Sequence, residues 1–165
     1  NDIATLCCTV EEIDTLDRYD LIVASCILHE VSDQGAFISQ IKNLLTDDGY
    51  LFLDVPNAYS LHRQLAVETG YLQNIHGQST TQSKMQQDNE VFNKVSLHRF
   101  LEQNGFNIIE YGGYFVKPFH HAKMDELVTN GQLTKKELDA FYQIGKNNDH
   151  LASEIYALCE KSNKR

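Results

Sequence analysis

Three side chains with reactive potential fall within five residues of the stretch LIVASCILHEV, residues 21–31: the Cys26 thiol, the His29 imidazole and the Glu30 carboxylate. A thiol beside a base can serve as a nucleophile, and an imidazole titrates where a general base works near neutral pH. A second group follows a later apolar run: Asp54, Asn57, Tyr59, His62 and Arg63 offer a carboxylate, an amide, a phenol, a second imidazole and a guanidinium. No glycine or proline separates the first group from the apolar residues before it, so the preceding element is what must position it.

Two chemistries are weighed first and set aside. A thiol hydrolase would use Cys26 at a helix start with His29 one turn on, but ASCIL puts Ile27 and Leu28 where a nucleophile elbow needs small residues. For a metal centre the spacings are wrong. Cys7, Cys8, Cys26 and Cys159 form no C-x-x-C pair, neighbours on a strand point to opposite faces, and His120 and His121 have no third ligand at a suitable spacing. No metal is expected. The cysteines read as small buried hydrophobes of a reducing compartment, which predicts a cytoplasmic protein.

The 165 residues suffice for one domain with a real core. Lys and Arg number 14 against 23 for Asp and Glu, a net charge of -9 with no basic stripe, which argues against nucleic acid as a partner. No apolar run approaches the roughly 18 residues of a membrane span, so no membrane partner is expected. There is no repeat and no low-complexity block.

The elements that would position the reactive groups follow from periodicity. Residues 6–10 read as a short strand, and 19–25 as a strand whose continuous apolar run predicts cover on both faces, as in the centre of a parallel sheet. Ser32 or Asp33 caps a helix that buries Phe37, Ile38, Ile41, Leu44 and Leu45, with Asp47, Asp48 and Gly49 as its stop. A strand over 50–55 ends at Pro56. A short helix over 60–66 and a polar flap over 70–90 follow. Ser96 caps a helix with Leu97, Phe100 and Leu101 that Gly105 ends, before a strand over 106–111. Residues 123–146 read as one or two helices broken at Asn130 and Gly131, with Leu133, Leu138, Phe141 and Ile144 inward. A last strand over 154–159, alternating through Ile155, Ala157 and Cys159, is expected near the sheet edge. The fold expected is three-layer α/β, whose ligands bind at the carboxyl ends of the strands, where both reactive groups fall.

Three segments carry a family resemblance: LDRYDLIVASCILHEV, then IKNLLTDDGYLFLDVPNAYSLHR, then LHRFLEQNGFNIIEYGGYF. In order and spacing they resemble the central and carboxyl-terminal part of class I methyltransferases that use S-adenosylmethionine. The resemblance implies a Rossmann-like methyltransferase sheet, mostly parallel with an antiparallel C-terminal strand and lacking the first strands. It implies a single domain over 1–165, truncated at its amino end, with a polar insertion at 70–90 and a helical insertion at 120–150. Two features depart from the family: no G-x-G turn occurs, and the family's Glu-His order is reversed in His29 and Glu30.

By this resemblance Thr9, Val10 and Glu11, at the end of a third strand, flank the adenine of S-adenosylmethionine, Ala24, Ser25 and Cys26 line its methionine portion, and Glu30 faces the cofactor or the acceptor. Asn57, Tyr59, Arg63 and Tyr114 shape the side of a small-molecule acceptor whose hydroxyl or amine receives the methyl group. His29 is the first candidate for the general base and His62 the second. The alternative is a non-catalytic module that lacks the cofactor site. Its unpaired strands would associate, as in a homo-oligomer joined through sheet edges.

Overall fold

The structure, a computed structural model, describes residues 4–13, 16–76 and 91–162. Strand β1 is Tyr19–Ser25 and helix α1 is Gln34–Leu44. Asp33 is the cap: its Oδ1 accepts from the Ala36 amide at 2.8 Å, satisfying one of the amides that a first turn leaves without an intrahelical partner. The helix ends at Leu44, earlier than the Asp-Asp-Gly signal implies, and β2 runs through Leu45–Pro56. Leu45 pairs with Tyr19, and the next pair is Leu21 with Tyr50, so residues 46–49 bulge from the ladder. Burial of Leu45, 1% exposed, overrides the turn signal. Gly49 is needed in the bulge, since a Cβ there would stand 2.9 Å from the Tyr19 carbonyl oxygen.

Helix α2 is Leu61–Glu68, and α3 is Lys94–Gln103. The cap of α3 is Asn93 rather than Ser96. Its Oδ1 accepts from the Val95 and Ser96 amides at 2.9 and 3.0 Å, and Ser96 Oγ accepts from the Asn93 amide at 2.9 Å, a reciprocal box that starts the helix three residues early. Strand β3 is Phe106–Tyr114, helices α4 and α5 are His121–Thr129 and Lys135–Asn147, and β4 is Glu154–Lys161. Of the expected 70–90 flap, residues 77–90 lie outside the described residues.

The sheet order is β1-β2-β4-β3. β1 and β2 are parallel, and β4 runs antiparallel to β2 on one side and β3 on the other. The last strand is therefore internal, not an edge, and Ile155, Ala157 and Cys159 are at most 1% exposed. One sheet face, with Leu51, Leu53, Val55 and those three residues, packs on Phe37, Ile38 and Ile41 of α1 and Leu97 and Leu101 of α3.

Three expectations fail for identifiable reasons. Residues 6–10 form no strand: Leu6 is 68% exposed, and Val10–Glu12 is a 3-10 turn beside α1. β1 ends the described sheet instead of lying at its centre. Its apolar run asks for cover on both faces and the described residues supply one, leaving Leu21 and Val23 56% and 59% exposed. In α5, Ile144 faces solvent and Gly145 is the buried residue. The Tyr114–Phe115 backbone passes so close to it that a Cβ would come within 2.2 Å of the Phe115 nitrogen.

Candidate functional site

Antiparallel insertion of β4 decides what meets at the carboxyl ends of β1, β2 and β3. Ser25 pairs with Asp54, Asp54 with Tyr156, and Glu154 with both Pro56 and Tyr114. Cys26, Asp54, Tyr114 and Glu154 thereby form one cluster drawn from the ends of four strands. Tyr114 donates its hydroxyl to Asp54 Oδ2 at 2.6 Å. Cys26 Sγ lies 3.4 Å from the same oxygen and 3.7 Å from Glu154 Oε2, and its one proton can serve only one carboxylate at a time.

Asp54 is fully buried, and its Oδ1 has no hydrogen-bond partner among the described residues. Burial, joined by the charges of Glu154 and Asp54, pushes the Cys26 thiol up to about 12, so it stays protonated and is a poor nucleophile. Burial pushes the Glu154 carboxyl up to about 7; Lys117 opposes this and Asp54 adds to it. Burial and the bond to Asp54 raise Tyr114 as well. Cys26 has φ 50°, a left-handed backbone that a residue with a Cβ adopts only where its surroundings enforce it, and its amide is held by the Asp54 carbonyl at 3.1 Å.

The other sequence candidates lie around this cluster to differing degrees. Ala24 is buried beneath it, and Ser25 is exposed at the tip of β1. His29 Nε2 stands 3.7 Å from Glu30 Oε1, and burial lowers the imidazole against the opposing pull of Glu30 and Asp54. His62, on α2, belongs to a cationic neighbourhood instead. Burial, with the charges of Lys117, Arg63 and His120, pushes it down to about 3. Its Nδ1 is buried without a partner among the described residues. Arg63 is buried too, and its Nε and one terminal nitrogen donate to the Ile75 carbonyl at 3.2 and 3.0 Å.

Asn57 is committed to the fold. Its Nδ2 lies 3.4, 3.2 and 2.9 Å from the Asp149, His150 and Ala152 carbonyls, which share its two protons, and its Oδ1 accepts from the Tyr59 amide at 3.0 Å. Thr9, Val10 and Glu11 end no strand. The Thr9 amide donates to Glu12 Oε2 at 2.8 Å in an exposed turn, while Val10 packs on the core.

A cavity of about 290 Å³ opens beyond the end of β2, between Asn57, Tyr59, Lys94, Tyr111, Asp149 and His150. Lys94 Nζ lies 4.3 Å from the centre of the Tyr111 ring and 3.2 Å from Asp149 Oδ2. Of these residues, sequence reasoning reached Asn57 and Tyr59 and missed the rest. It also missed Glu154, whose place depends on the reversed insertion of β4.

Comparisons with known proteins bear on the family and the fold. A family model described as a methyltransferase domain matches residues 4–111, which span β1 through most of β3. A ubiquinone biosynthesis O-methyltransferase of Rhodopseudomonas palustris is 35% identical over 51 residues, 31% of this chain and 20% of that protein. Among solved structures, a methyltransferase of Thermotoga maritima described as a possible histamine N-methyltransferase superposes with a TM-score of 0.55 at 15% identity. It is matched over 94% of this chain and 62% of its own. The 1,6-didemethyltoxoflavin-N1-methyltransferase of Burkholderia thailandensis, with 1,6-didemethyltoxoflavin and S-adenosylhomocysteine bound, gives a TM-score of 0.54 at 14% identity, over 96% of this chain and 50% of its own. These two share the fold of the four-stranded sheet, and the chain spans between half and two thirds of their length. With its family model matched over more than half of its residues, the chain belongs to the methyltransferase-domain family.

Proposed function

We propose that this chain is part of an S-adenosylmethionine-dependent enzyme that moves a methyl group to a hydroxyl or amine of a small-molecule acceptor. The observation that carries the reading is the convergence of strand ends on one polar rim, in a chain of the methyltransferase-domain family. The end of β1 fits the methionine portion of the cofactor: Ala24, Ser25 and Cys26 are small, Ser25 and Cys26 are exposed, and no bulky side chain of that triplet stands in the way. Glu30, exposed and 3.7 Å from His29 Nε2, is proposed to face the cofactor or the acceptor. Thr9, Val10 and Glu11 are proposed for the adenine side, which requires the turn at Val10–Glu12 to rearrange.

The cofactor, when bound, would supply an activated, electrophilic methyl group on its sulfonium. The chain's own work is to hold the acceptor in line and to take its proton, and positioning contributes a large share of the rate. His29 is proposed as the base, since burial keeps its imidazole neutral and able to accept. His62 stands second, because an imidazole pushed down to about 3 accepts a proton weakly. Tyr59 and Tyr114 are proposed to contact the acceptor, with Asn57 and Arg63 holding the loops that carry it. The four free thiols support a cytoplasmic setting.

Calorimetry with S-adenosylhomocysteine on the full-length protein tests the reading. Binding is expected, and Ser25→Tyr, a change at an exposed position, is expected to weaken it more than tenfold. Binding that ignores Ser25→Tyr, or no binding at all, refutes it.

One observation favours a second reading, a non-catalytic module that associates through its sheet. The outer edge of β1 is unpaired among the described residues and carries exposed Leu21 and Val23. That reading expects no S-adenosylhomocysteine binding and a mass in solution of more than one copy.

A further inference from the structure

We infer that Cys26, Asp54 and Glu154 form a binding site for a single divalent transition-metal ion of borderline softness, such as zinc or cobalt. Each residue brings one donor atom, and the three atoms lie within 4.8 Å of one another. Their spacing fits the chemistry. With metal–sulfur and metal–oxygen bonds of about 2.3 and 2.0 Å, the sulfur and oxygen corners of a tetrahedron stand about 3.5 Å apart. Cys26 Sγ stands 3.4 Å from Asp54 Oδ2 and 3.7 Å from Glu154 Oε2.

An independent feature points to a missing partner. Asp54 is 0% exposed, and its Oδ1 is bonded to nothing among the described residues. A buried carboxylate oxygen left in this state is costly, and a cation at the cluster relieves that cost. Oδ2, the oxygen that faces the thiol, also accepts from the Tyr114 hydroxyl at 2.6 Å, a bond that orients the carboxylate for a cation held through both of its oxygens. Asp54 and Glu154 come from the paired strands β2 and β4, and Cys26 follows directly on β1, where its left-handed backbone is held by the bond from its amide to the Asp54 carbonyl.

The donor set selects the ion. One thiolate excludes the hard, all-oxygen preference of magnesium and calcium, while two carboxylates favour a dication over a monovalent soft ion. Three ligand charges of −1, the nearby Lys117 ammonium and a dication sum to zero. Binding expels the thiol proton of Cys26 to the buffer, together with that of Glu154 where it is protonated, as a metal–sulfur and metal–oxygen bonds form. Three protein ligands leave one tetrahedral position open to water. The inference does not depend on the proposed methyl transfer, and its readout is a metal spectrum, not an activity.

The test is a titration of the metal-free, full-length protein with cobalt(II), followed by the near-ultraviolet thiolate-to-cobalt band. Saturation at one ion per chain is expected, with the band lost in Cys26→Ser and retained when Cys7 and Cys8, exposed thiols outside the cluster, are both changed to serine. Glu154→Gln is expected to weaken binding by about tenfold or more. Circular dichroism of each variant separates loss of a ligand from loss of the fold. A band that survives Cys26→Ser, a band that disappears with Cys7 and Cys8, or no band at all overturns the inference.

Discussion

The imidazole of His62 makes the protein's acid sensitivity calculable. Its folded-state value of about 3 lies far below the ordinary 6.5, because the ring is buried and faces Lys117, Arg63 and His120. The folded state therefore binds fewer protons than the unfolded state, and stability from this group is complete above 6.5 and lost as pH falls towards 3. At about pH 4.5 the unfolded imidazole is almost wholly protonated and the folded one almost wholly neutral, a difference of about 3 kcal/mol. Glu154 acts in the opposite direction: its raised carboxyl makes the fold gain stability as pH falls through about 7. The informative quantity is thus the comparison between wild type and His62→Gln. Urea unfolding at neutral pH and at about pH 4.5 should show the wild type losing about 3 kcal/mol more than the variant across that interval. Proton NMR of the His62 ring should find it neutral down to about pH 4. Equal losses in the two proteins would refute the burial argument, and with it the ranking of His62 behind His29 as a base.

Two further outcomes follow from close contacts. Gly145→Ala would drive a methyl group into the Tyr114–Phe115 backbone, and the overpacking cost of about 1–3 kcal/mol outweighs the helix-propensity gain of about 1 kcal/mol; urea unfolding that shows net stabilisation would contradict the packing. Tyr114→Phe removes a hydrogen bond to a buried carboxylate and should cost about 1.5–3 kcal/mol by the same assay, and a cost near zero would mean that water replaces the phenol.

What was legible in the sequence was local. The strand–helix–strand unit from Tyr19 to Pro56 could be read because Phe37, Ile38, Ile41 and Leu44 recur at helical spacing between two apolar runs. The family resemblance alone assigns Tyr114 to the acceptor side, since the strand read from sequence stops at 111 whereas β3 continues to Tyr114. Glu154 could not: nothing near it in sequence says that β4 enters between β2 and β3, and only that insertion brings it to Asp54 and Cys26. Asp54 stands out in sequence only as a carboxylate at the end of an apolar run, and that its partner is the Tyr114 phenol depends on the fold. Asn57 read as facing an acceptor, but three carbonyls of residues 149–152 claim its amide, a demand set by tertiary contact alone. Asn93 displaced Ser96 as a cap because two residues with capping side chains competed three positions apart.

The order of the strands also carries a consequence for how the molecule is made. β2 and β3 have no ladder with each other, and the piece that joins them is encoded after both. On a ribosome the earlier segments must wait, with two strand borders open, until Glu154–Lys161 leaves the exit tunnel and slots into the gap. A stop codon before Glu154 should therefore yield an aggregation-prone polypeptide rather than a smaller folded one, and the step that closes this gap is also the one that brings the Glu154 carboxylate to its neighbours.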